Sequence, residues 1–375
     1  MTRVGDTFIK ELNEKGEDMS TKYGFVELSD DSKDGIPVDD LPIGLIKCKE
    51  LKLPNPIIEV DLAYYAFDYE KWTVEKICAL IDKRITWARE ELGEDSRIYV
   101  NLRDFSDAMA KAPERVFSVV KYISMYRPKI IGILYEEFGS NFPEELGIYT
   151  KSVSDIMKSC DFEDGHLLIH IHHQWGLSDA SVLECLANGA NGIWAGLCEE
   201  GAAMGHASIL LTVMNLIRLG NKKVLKRYNC TEMRNAAIRV TEIVTGDLPP
   251  PKSVVIGERA MDRVFGFPAF EPENMEGFCL QSFFGEETTI RITTLADNKM
   301  IIQALKNYFG ENPQFNLEMG DKMKALILDD LNHNRKEEYQ SPFGLAMLFD
   351  RAGGQQTGQM ADVIAKVRID SFLPC

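Results

Sequence analysis

The sequence predicts an α/β fold in which helices cover a parallel sheet. From Pro56 onward, short apolar runs alternate with longer segments whose apolar residues recur at helical spacing, in units of roughly 30 to 40 residues. Each pair of successive runs is separated by enough chain for one helix, which is what parallel strands need. Such a sheet is either doubly wound or closed into a barrel, and the order of elements alone does not decide between the two.

The alternation continues over five strand–helix units. The predicted strands are 57–61, 97–102, 129–135, 165–172 and 193–197, and the predicted helices are 72–92, 112–123, 143–157, 178–188 and 207–219. Pro113 lies in the first turn of the second helix, where its missing N–H has no consequence. Ser178 is expected to cap the fourth helix. Before these units, residues 8–12 show helical tendency and residues 25–28 form a short apolar run.

Composition shifts divide the chain into three parts. An N-terminal segment covers 1–56, and the strand–helix region covers 57–246. The three consecutive prolines of Leu248–Lys252 make that segment stiff and extended, so it predicts a domain boundary. Beyond it, a smaller α+β appendage covers 253–375, with strands expected at 253–257 and 289–292.

Charge and cysteine usage exclude several classes of function. The formal net charge of −16 argues against nucleic acid or an anionic membrane as the main partner, since both require a basic surface. The sequence shows neither a long apolar stretch nor a secretory signal. Eight scattered cysteines without CxxC pairs indicate a reducing compartment, and the cytoplasm is the expected location.

Five of the six histidines lie between His166 and His206. His170 and His172 are two residues apart in an apolar run that predicts a strand, so both side chains point to one face of it. Two neutral imidazoles on a rigid strand form half of a divalent-metal site. The alternative is that one or both are hydrogen-bonded core histidines.

The motifs around this strand resemble those of the DRE-TIM metallolyase superfamily, which includes 3-hydroxy-3-methylglutaryl-CoA lyase and the isopropylmalate and homocitrate synthases. The superfamily strand reads H-x-H-(N/D)-x-x-G and is followed by a helix ending in Gly-Ala. The corresponding segments here are HIHHQWG at 170–176 and ANGA at 187–190. One strand earlier, EEFGSNFP at 136–143 keeps the Gly and Pro of the superfamily motif D-T-x-G-x-x-x-P. The resemblance implies a TIM-type (β/α) barrel with a C-terminal appendage. The early strands of the barrel, within 1–56, would be shortened or missing.

The resemblance also implies a metal site. His170 and His172 would bind a divalent ion, and His206 stands where the superfamily has a ligating Asn. A third imidazole would favour zinc, iron or manganese over magnesium. The first-strand aspartate of the superfamily is matched best by Asp34 in Lys33-Asp34-Gly35, with Asp61 as a second candidate. The alternatives are that His206 caps a helix and that Asp34 lies in an exposed acidic turn.

Three further residues are candidates for catalysis. Glu136 ends its strand where the superfamily has an Asp-Thr pair, and it either moves a proton or orients a ligand histidine. Arg103 either pairs with a substrate carboxylate or forms a structural ion pair. Cys198 begins the loop that carries a mobile cysteine in the lyases, although a buried structural thiol explains it equally well.

The implied activity is formation or cleavage of a C–C bond next to a carbonyl, through an enolate of a 2-oxo acid or an acyl-CoA. The C-terminal appendage favours a synthase-like acyltransferase, although 260–266 lacks the histidine that those synthases supply. The alternatives are a hydroxy-acyl-CoA lyase or 4-hydroxy-2-oxoacid aldolase and, from another class, a non-catalytic barrel subunit. The expected partners are these small molecules and, as is common in the superfamily, further copies of the chain in a homo-oligomer.

Overall fold

In a computed structural model the chain divides into two compact units, residues 1–213 and 214–375. The structure describes 3–28, 40–63, 72–126, 129–138, 140–202, 204–221, 223–260, 262–263, 284–285, 289–335 and 339–370. The division falls inside a helix, some way before the proline-rich segment. No helix in these described ranges has both the length and the apolar character needed to cross a membrane.

The first unit is built on a six-stranded parallel sheet. Its strands are β1 (Tyr23–Glu27), β2 (Asn55–Asp61), β3 (Tyr99–Arg103), β4 (Gly132–Glu137), β5 (His166–Ile171) and β6 (Gly192–Trp194). Each strand pairs with the next along the chain, in the order β1-β2-β3-β4-β5-β6. A doubly wound sheet reverses its strand order, whereas a (β/α) barrel does not. The predicted α/β class is confirmed, and the strand order is that of a barrel.

Helices connect the strands. They are α1 (Arg3–Glu14), α2 (Ile43–Glu50), α3 (Val74–Leu92), α4 (Phe105–Lys111), α5 (Pro113–Ser124), α6 (Pro143–Ser159), α7 (Ser178–Ala187) and α8 (Ile209–Arg218). Thr73 caps α3 by accepting a hydrogen bond from the Lys76 amide. Ser178 is the first residue of α7, not its cap as predicted, and its hydroxyl contacts Nδ1 of His173 at 2.6 Å. The short helix α4 was not predicted.

The sheet is strongly curled. In a flat sheet β1 and β6 would lie five spacings of about 4.8 Å apart, or about 24 Å. The ring centroids of Phe25 on β1 and Trp194 on β6 are 5.1 Å apart instead. An inner apolar cluster includes residues from all six strands and Ile131, which comes just before β4. The strand residues are Tyr23, Phe25, Ile57, Tyr99, Leu134, Leu168 and Trp194. The sheet therefore wraps around a small interior, as the sheet of a barrel does, although β1 and β6 share no strand pairing among the described residues.

The early part of this curled sheet is reduced, as expected. The strand β1 has five residues and α2 has eight, whereas α3 has nineteen. One short strand–helix unit thus precedes β2. The opposite, outward faces of the strands are apolar and pack against the helices, with Ile58, Val60, Val100, Ile133 and Ile169 all fully buried.

The second unit is mostly helical. It contains α9 (Lys223–Arg227), α10 (Cys230–Thr245), α11 (Asn298–Phe309), α12 (Leu317–Asn332), α13 (Pro342–Arg351) and α14 (Gly358–Asp370), with a two-residue parallel pair β7 (Asp262–Arg263) and β8 (Thr289–Ile290). The strand predicted at 253–257 is wrong. The segment forms turns, because the Pro250 and Pro251 carbonyls accept bonds from the Ser253 and Arg259 amides at 2.8 and 2.9 Å.

Replacing Ile57 tests the inner apolar cluster. Ile57 is fully buried among side chains of neighbouring strands, so Ile57→Ala is expected to lower the unfolding free energy of the first unit by about 2–5 kcal/mol. The matched control is Ile148→Ala on α6, where the side chain is 65% exposed and a change within about 0.5 kcal/mol is expected. Urea denaturation followed by tryptophan fluorescence measures both. Equal effects of the two variants would contradict the curled arrangement.

Candidate metal centre

Polar side chains collect where the strands of the curled sheet end. Because successive side chains of a strand alternate between faces, the residues that continue the inner apolar cluster toward the carboxyl ends share its face. These residues are Glu27, Glu59, Asp61, Asn101, Arg103, Glu136, His170 and His172. The carboxyl ends of the strands are the edge at which barrel enzymes place their chemistry.

Three histidines come together at this edge. His170 is the penultimate residue of β5, His172 comes directly after the strand, and His206 lies in the loop between β6 and α8. The ring centroids of His170 and His172 are 5.0 Å apart, and each lies within 4.6 Å of the His206 ring. One nitrogen from each ring lies within 4.8 Å of the others. The structure therefore brings the three predicted histidines into one cluster, which could hold a metal ion.

The loop that carries His206 is shaped for this position. A Cβ on Gly201 would lie 1.9 Å from Nδ1 of His206, and a Cβ on Gly205 would lie 1.7 Å from the Glu199 carbonyl oxygen. Both glycines also have positive φ, which other residues rarely adopt. The Glu200 carboxylate accepts hydrogen bonds from two amides at the start of the loop, and the Glu200 carbonyl contacts Nδ1 of His206 at 3.0 Å. These contacts fix the imidazole.

Four ring nitrogens of the cluster lack a hydrogen-bond partner within the described part of the chain. They are both nitrogens of His170, Nδ1 of His172 and Nε2 of His206. His170 and His172 are only 7% and 5% exposed, so water has little access to their ring nitrogens and does not replace the missing partners. Burial lowers the pKa of His170 to about 4. The negative charge of Glu136 opposes this shift, and the neighbouring imidazoles add to it.

These observations fit a divalent metal ion. At neutral pH, His170 is uncharged and keeps a lone pair, which is the form that binds metals. Three imidazole nitrogens are a donor set suited to zinc, iron or manganese. A bound ion would also give the buried nitrogens the partners that the protein itself does not supply.

Glu136 lies against this cluster. Its Oε1 is 3.2 Å from Nε2 of His172, and its Oε2 accepts a hydrogen bond from the Asn101 amide at 3.3 Å. Burial alone would raise the pKa of Glu136, but its hydrogen bond to His172 and the positive charge of Arg103 outweigh burial, and the net pKa is lowered. Glu136 is therefore an ionised carboxylate in direct contact with a candidate metal ligand.

Arg103 lies among three carboxylates on the same inner face. Its guanidinium is 3.1 Å from Glu27, 3.3 Å from Asp61 and 3.9 Å from Glu59. Burial and, after it, the charge of Glu27 raise the pKa of Glu59 well above its usual range. Burial also raises the pKa of Asp61 to about 6. The positive charge of Arg103 opposes both shifts. The guanidinium thus forms ion pairs with these acids and carries a single positive charge against three of them.

The remaining predicted site residues are placed as follows. Cys198 is half-buried at the start of the His206 loop, and its amide donates to Oε2 of Glu200 at 2.6 Å. Asp34 lies outside the described residues. Asp61, the second candidate for the carboxylate ligand, is paired with Arg103.

Sequence reasoning missed several residues of this edge. Asn101, Glu59 and Glu200 were not singled out, nor was Phe138, whose ring stacks on His172 at 5.1 Å. A signal was present for two of them. Glu59 and Asp61 on β2, and Asn101 and Arg103 on β3, are polar pairs two residues apart in otherwise apolar strands, as His170 and His172 are on β5. No local pattern marks Glu200 or Phe138.

The chain is similar in sequence to a known synthase. The chain is 24% identical over 236 residues to 2-isopropylmalate synthase of Prochlorococcus marinus, an alignment that covers 60% of this chain and 41% of that protein. The chain therefore spans less than half the length of this curated relative. No protein-family model matches the present chain.

Solved structures resemble parts of the fold. The hydroxymethylglutaryl-CoA lyase of Acinetobacter baumannii, in complex with coenzyme A and 3-methylmalate, has a TM-score of 0.46 at 14% identity, over 67% of this chain and 76% of that one. The lyase of Pseudomonas aeruginosa has a TM-score of 0.45 at 11% identity, over 61% and 72%.

The sequence relative agrees with the motif resemblance. The synthase is named among the members of the superfamily whose histidine strand, Gly-Ala helix end and Gly/Pro spacing this chain shares. The chain also departs from that pattern at its first strand and at His206. In its motifs and in this sequence relative, the chain resembles the DRE-TIM metallolyase superfamily.

Proposed function

We propose that this protein is a metal-dependent enzyme that forms or cleaves a C–C bond next to a carbonyl, through the enolate of a 2-oxo acid or an acyl-CoA. One observation carries the proposal. Three imidazoles with unpartnered nitrogens, two of them on buried side chains, gather at the carboxyl ends of parallel strands, where barrel enzymes bind substrates. Such nitrogens have a high free-energy cost unless a ligand binds them.

The histidines would hold the metal. His170, His172 and His206 are its nitrogen donors, and a carboxylate donor is proposed at Asp34. A divalent ion bound there supplies Lewis acidity to a carbonyl group and stabilises the negative charge of an enolate. Phe138, stacked on His172, covers part of the site and limits its contact with water.

The acids of the same edge supply proton transfer. Glu59 and Asp61 have raised pKa values, Asp61 near 6, so both are placed to exchange a proton close to neutral pH. Arg103 holds them in position through its ion pairs. The low pKa of Glu136 makes it a poor proton donor and suits it to orienting His172.

The synthase direction, condensation of an acyl-CoA with a 2-oxo acid, is the form of the activity proposed first. It is supported by the sequence relative, a 2-isopropylmalate synthase, and by the presence of a second unit after the curled sheet. Incubation with acetyl-CoA and a panel of 2-oxo acids tests it, because condensation releases a free thiol that a colorimetric reagent detects. Enolate exchange without thiol release would instead assign the lyase or aldolase direction.

Metal content is expected to depend on the cluster. His170→Ala is expected to weaken zinc or manganese binding by about 100-fold or more, because one of three nitrogen donors is lost. Elemental analysis and titration of the purified full chain measure this. The matched control is His333→Ala, whose side chain is 61% exposed and should not affect binding. A native protein that binds no divalent metal would contradict the proposal.

Enolate formation is expected to require the same residues. With metal present, the protein should catalyse exchange of deuterium from solvent into the methyl group of acetyl-CoA in the synthase direction, or into C3 of a 2-oxo acid in the aldolase direction, followed by proton NMR. His172→Ala should slow this exchange by about 100-fold or more, equivalent to about 2.7 kcal/mol of activation free energy. If the metal-loaded protein exchanges neither 2-oxo acids nor acetyl-CoA, it is not an enzyme of this type.

A further inference from the structure

Three adjacent strands carry a chain of hydrogen bonds that ends at His172. Asn101 on β3 donates from Nδ2 to Oε2 of Glu136 on β4 at 3.3 Å, and Oε1 of Glu136 contacts Nε2 of His172 at 3.2 Å. Asn101 is fully buried and His172 is 5% exposed. The contacts are therefore shielded from water.

The register of the sheet explains the path. Asn101 is paired with Leu134, and Glu136 is two residues further along β4 on the same face. Glu136 is paired with His170, and His172 is again two residues further along. Each link is thus a diagonal contact between same-face neighbours, which parallel strands of a curled sheet repeat from one strand to the next.

The chain of bonds has a direction. Oε2 of Glu136 already accepts a hydrogen bond from the Asn101 side-chain amide, and a glutamate carboxylate at neutral pH only accepts hydrogen bonds. The ring nitrogen that contacts it, Nε2, must therefore carry the proton. In the neutral ring Nδ1 then holds the lone pair, and Nδ1 is the His172 nitrogen that lacks a partner.

His206 shows the complementary arrangement. Its Nδ1 contacts the Glu200 carbonyl oxygen, which also only accepts, so the proton lies on Nδ1 and the lone pair on the unpartnered Nε2. In both rings one nitrogen is tied to an acceptor and the other is left for a ligand. Metal-binding histidines in general show this pattern.

From this geometry we infer that Asn101 and Glu136 are positioning residues that hold His172 as its Nε2–H tautomer, so that a metal ion binds Nδ1 of His172 and Nε2 of His206. The inference rests on the proposed metal centre. It assigns Glu136 a role through His172 and not a direct catalytic one, and it gives a function to Asn101, a buried polar residue of β3.

Nitrogen-15 NMR of the full chain with labelled histidine tests the inference. The spectra are recorded about two pH units above the ordinary histidine pKa of about 6.5, so that the rings are neutral. In the metal-free protein, long-range proton–nitrogen correlations should show His172 with the proton on Nε2. After loading with cadmium-113, one-bond coupling should appear at Nδ1 of His172 and at Nε2 of His206. Spectra lacking the His172 and His206 signals, from His172→Gln and His206→Gln, assign the resonances.

Variants of Glu136 separate hydrogen bonding from mere packing. Glu136→Ala should leave His172 as a mixture of tautomers and weaken cadmium binding by about 10- to 100-fold. Glu136→Gln should keep the tautomer, because its side-chain oxygen still accepts from Nε2, and a half-turn of the Asn101 amide lets the previously unpartnered Oδ1 accept from the new NH2 group. Glu163→Ala, an exposed control on the turn before β5, should change neither quantity.

The outcomes are distinct. A proton on Nδ1 of His172 in the metal-free protein, or cadmium coupling to its Nε2, would overturn the inference, as would an unchanged tautomer in folded Glu136→Ala protein. The Nε2–H tautomer, lost in Glu136→Ala and kept in Glu136→Gln, supports the positioning role even if the protein binds no metal. In that case the proposed function fails while the role of Asn101 and Glu136 stands.

Discussion

Alternation of side chains along curled parallel strands is the constraint on which the first unit depends. One face of each strand must pack against helices and is apolar throughout, while the other turns into a small interior that is apolar at the strand starts and polar at their carboxyl ends. His170 and His172 face this interior because they are two residues apart. A single-residue shift would move both into the helical layer, where uncharged aliphatic side chains are required.

The same constraint concentrates charge. The carboxyl-end edge of the sheet is acidic, because the Arg103 guanidinium lies there among the carboxyl groups of Glu27, Glu59, Asp61 and Glu136. Burial raises the pKa values of Glu59 and Asp61, and the neighbouring negative charges raise them further. A divalent ion at the histidines would reduce the excess as well as give the buried nitrogens their partners. Electrostatics and hydrogen-bond satisfaction therefore favour the same occupant.

Much of this organisation could be predicted from the sequence. Long periodic helices and apolar runs predicted the succession of strands and helices along the chain, and the spacing of two between histidines placed both on one face. His206 could be linked to them only through the motif resemblance, because it is far along the chain from His172. The curl of the sheet was not predictable from any local pattern, since it depends on contacts such as Phe25 with Trp194 across the interior. The bonds from Asn101 to His172 depend on strand register, which a single sequence does not specify.

The central claim is that His170, His172 and His206 bind one metal ion. X-ray absorption spectroscopy of the zinc-loaded full chain tests it most directly. The account predicts a first shell that includes three nitrogen donors at about 2.0–2.1 Å, with the outer-shell scattering of three imidazole rings, reduced to two rings in His206→Ala. A shell of oxygen atoms without imidazole scattering, or a spectrum unchanged by His206→Ala, would contradict it.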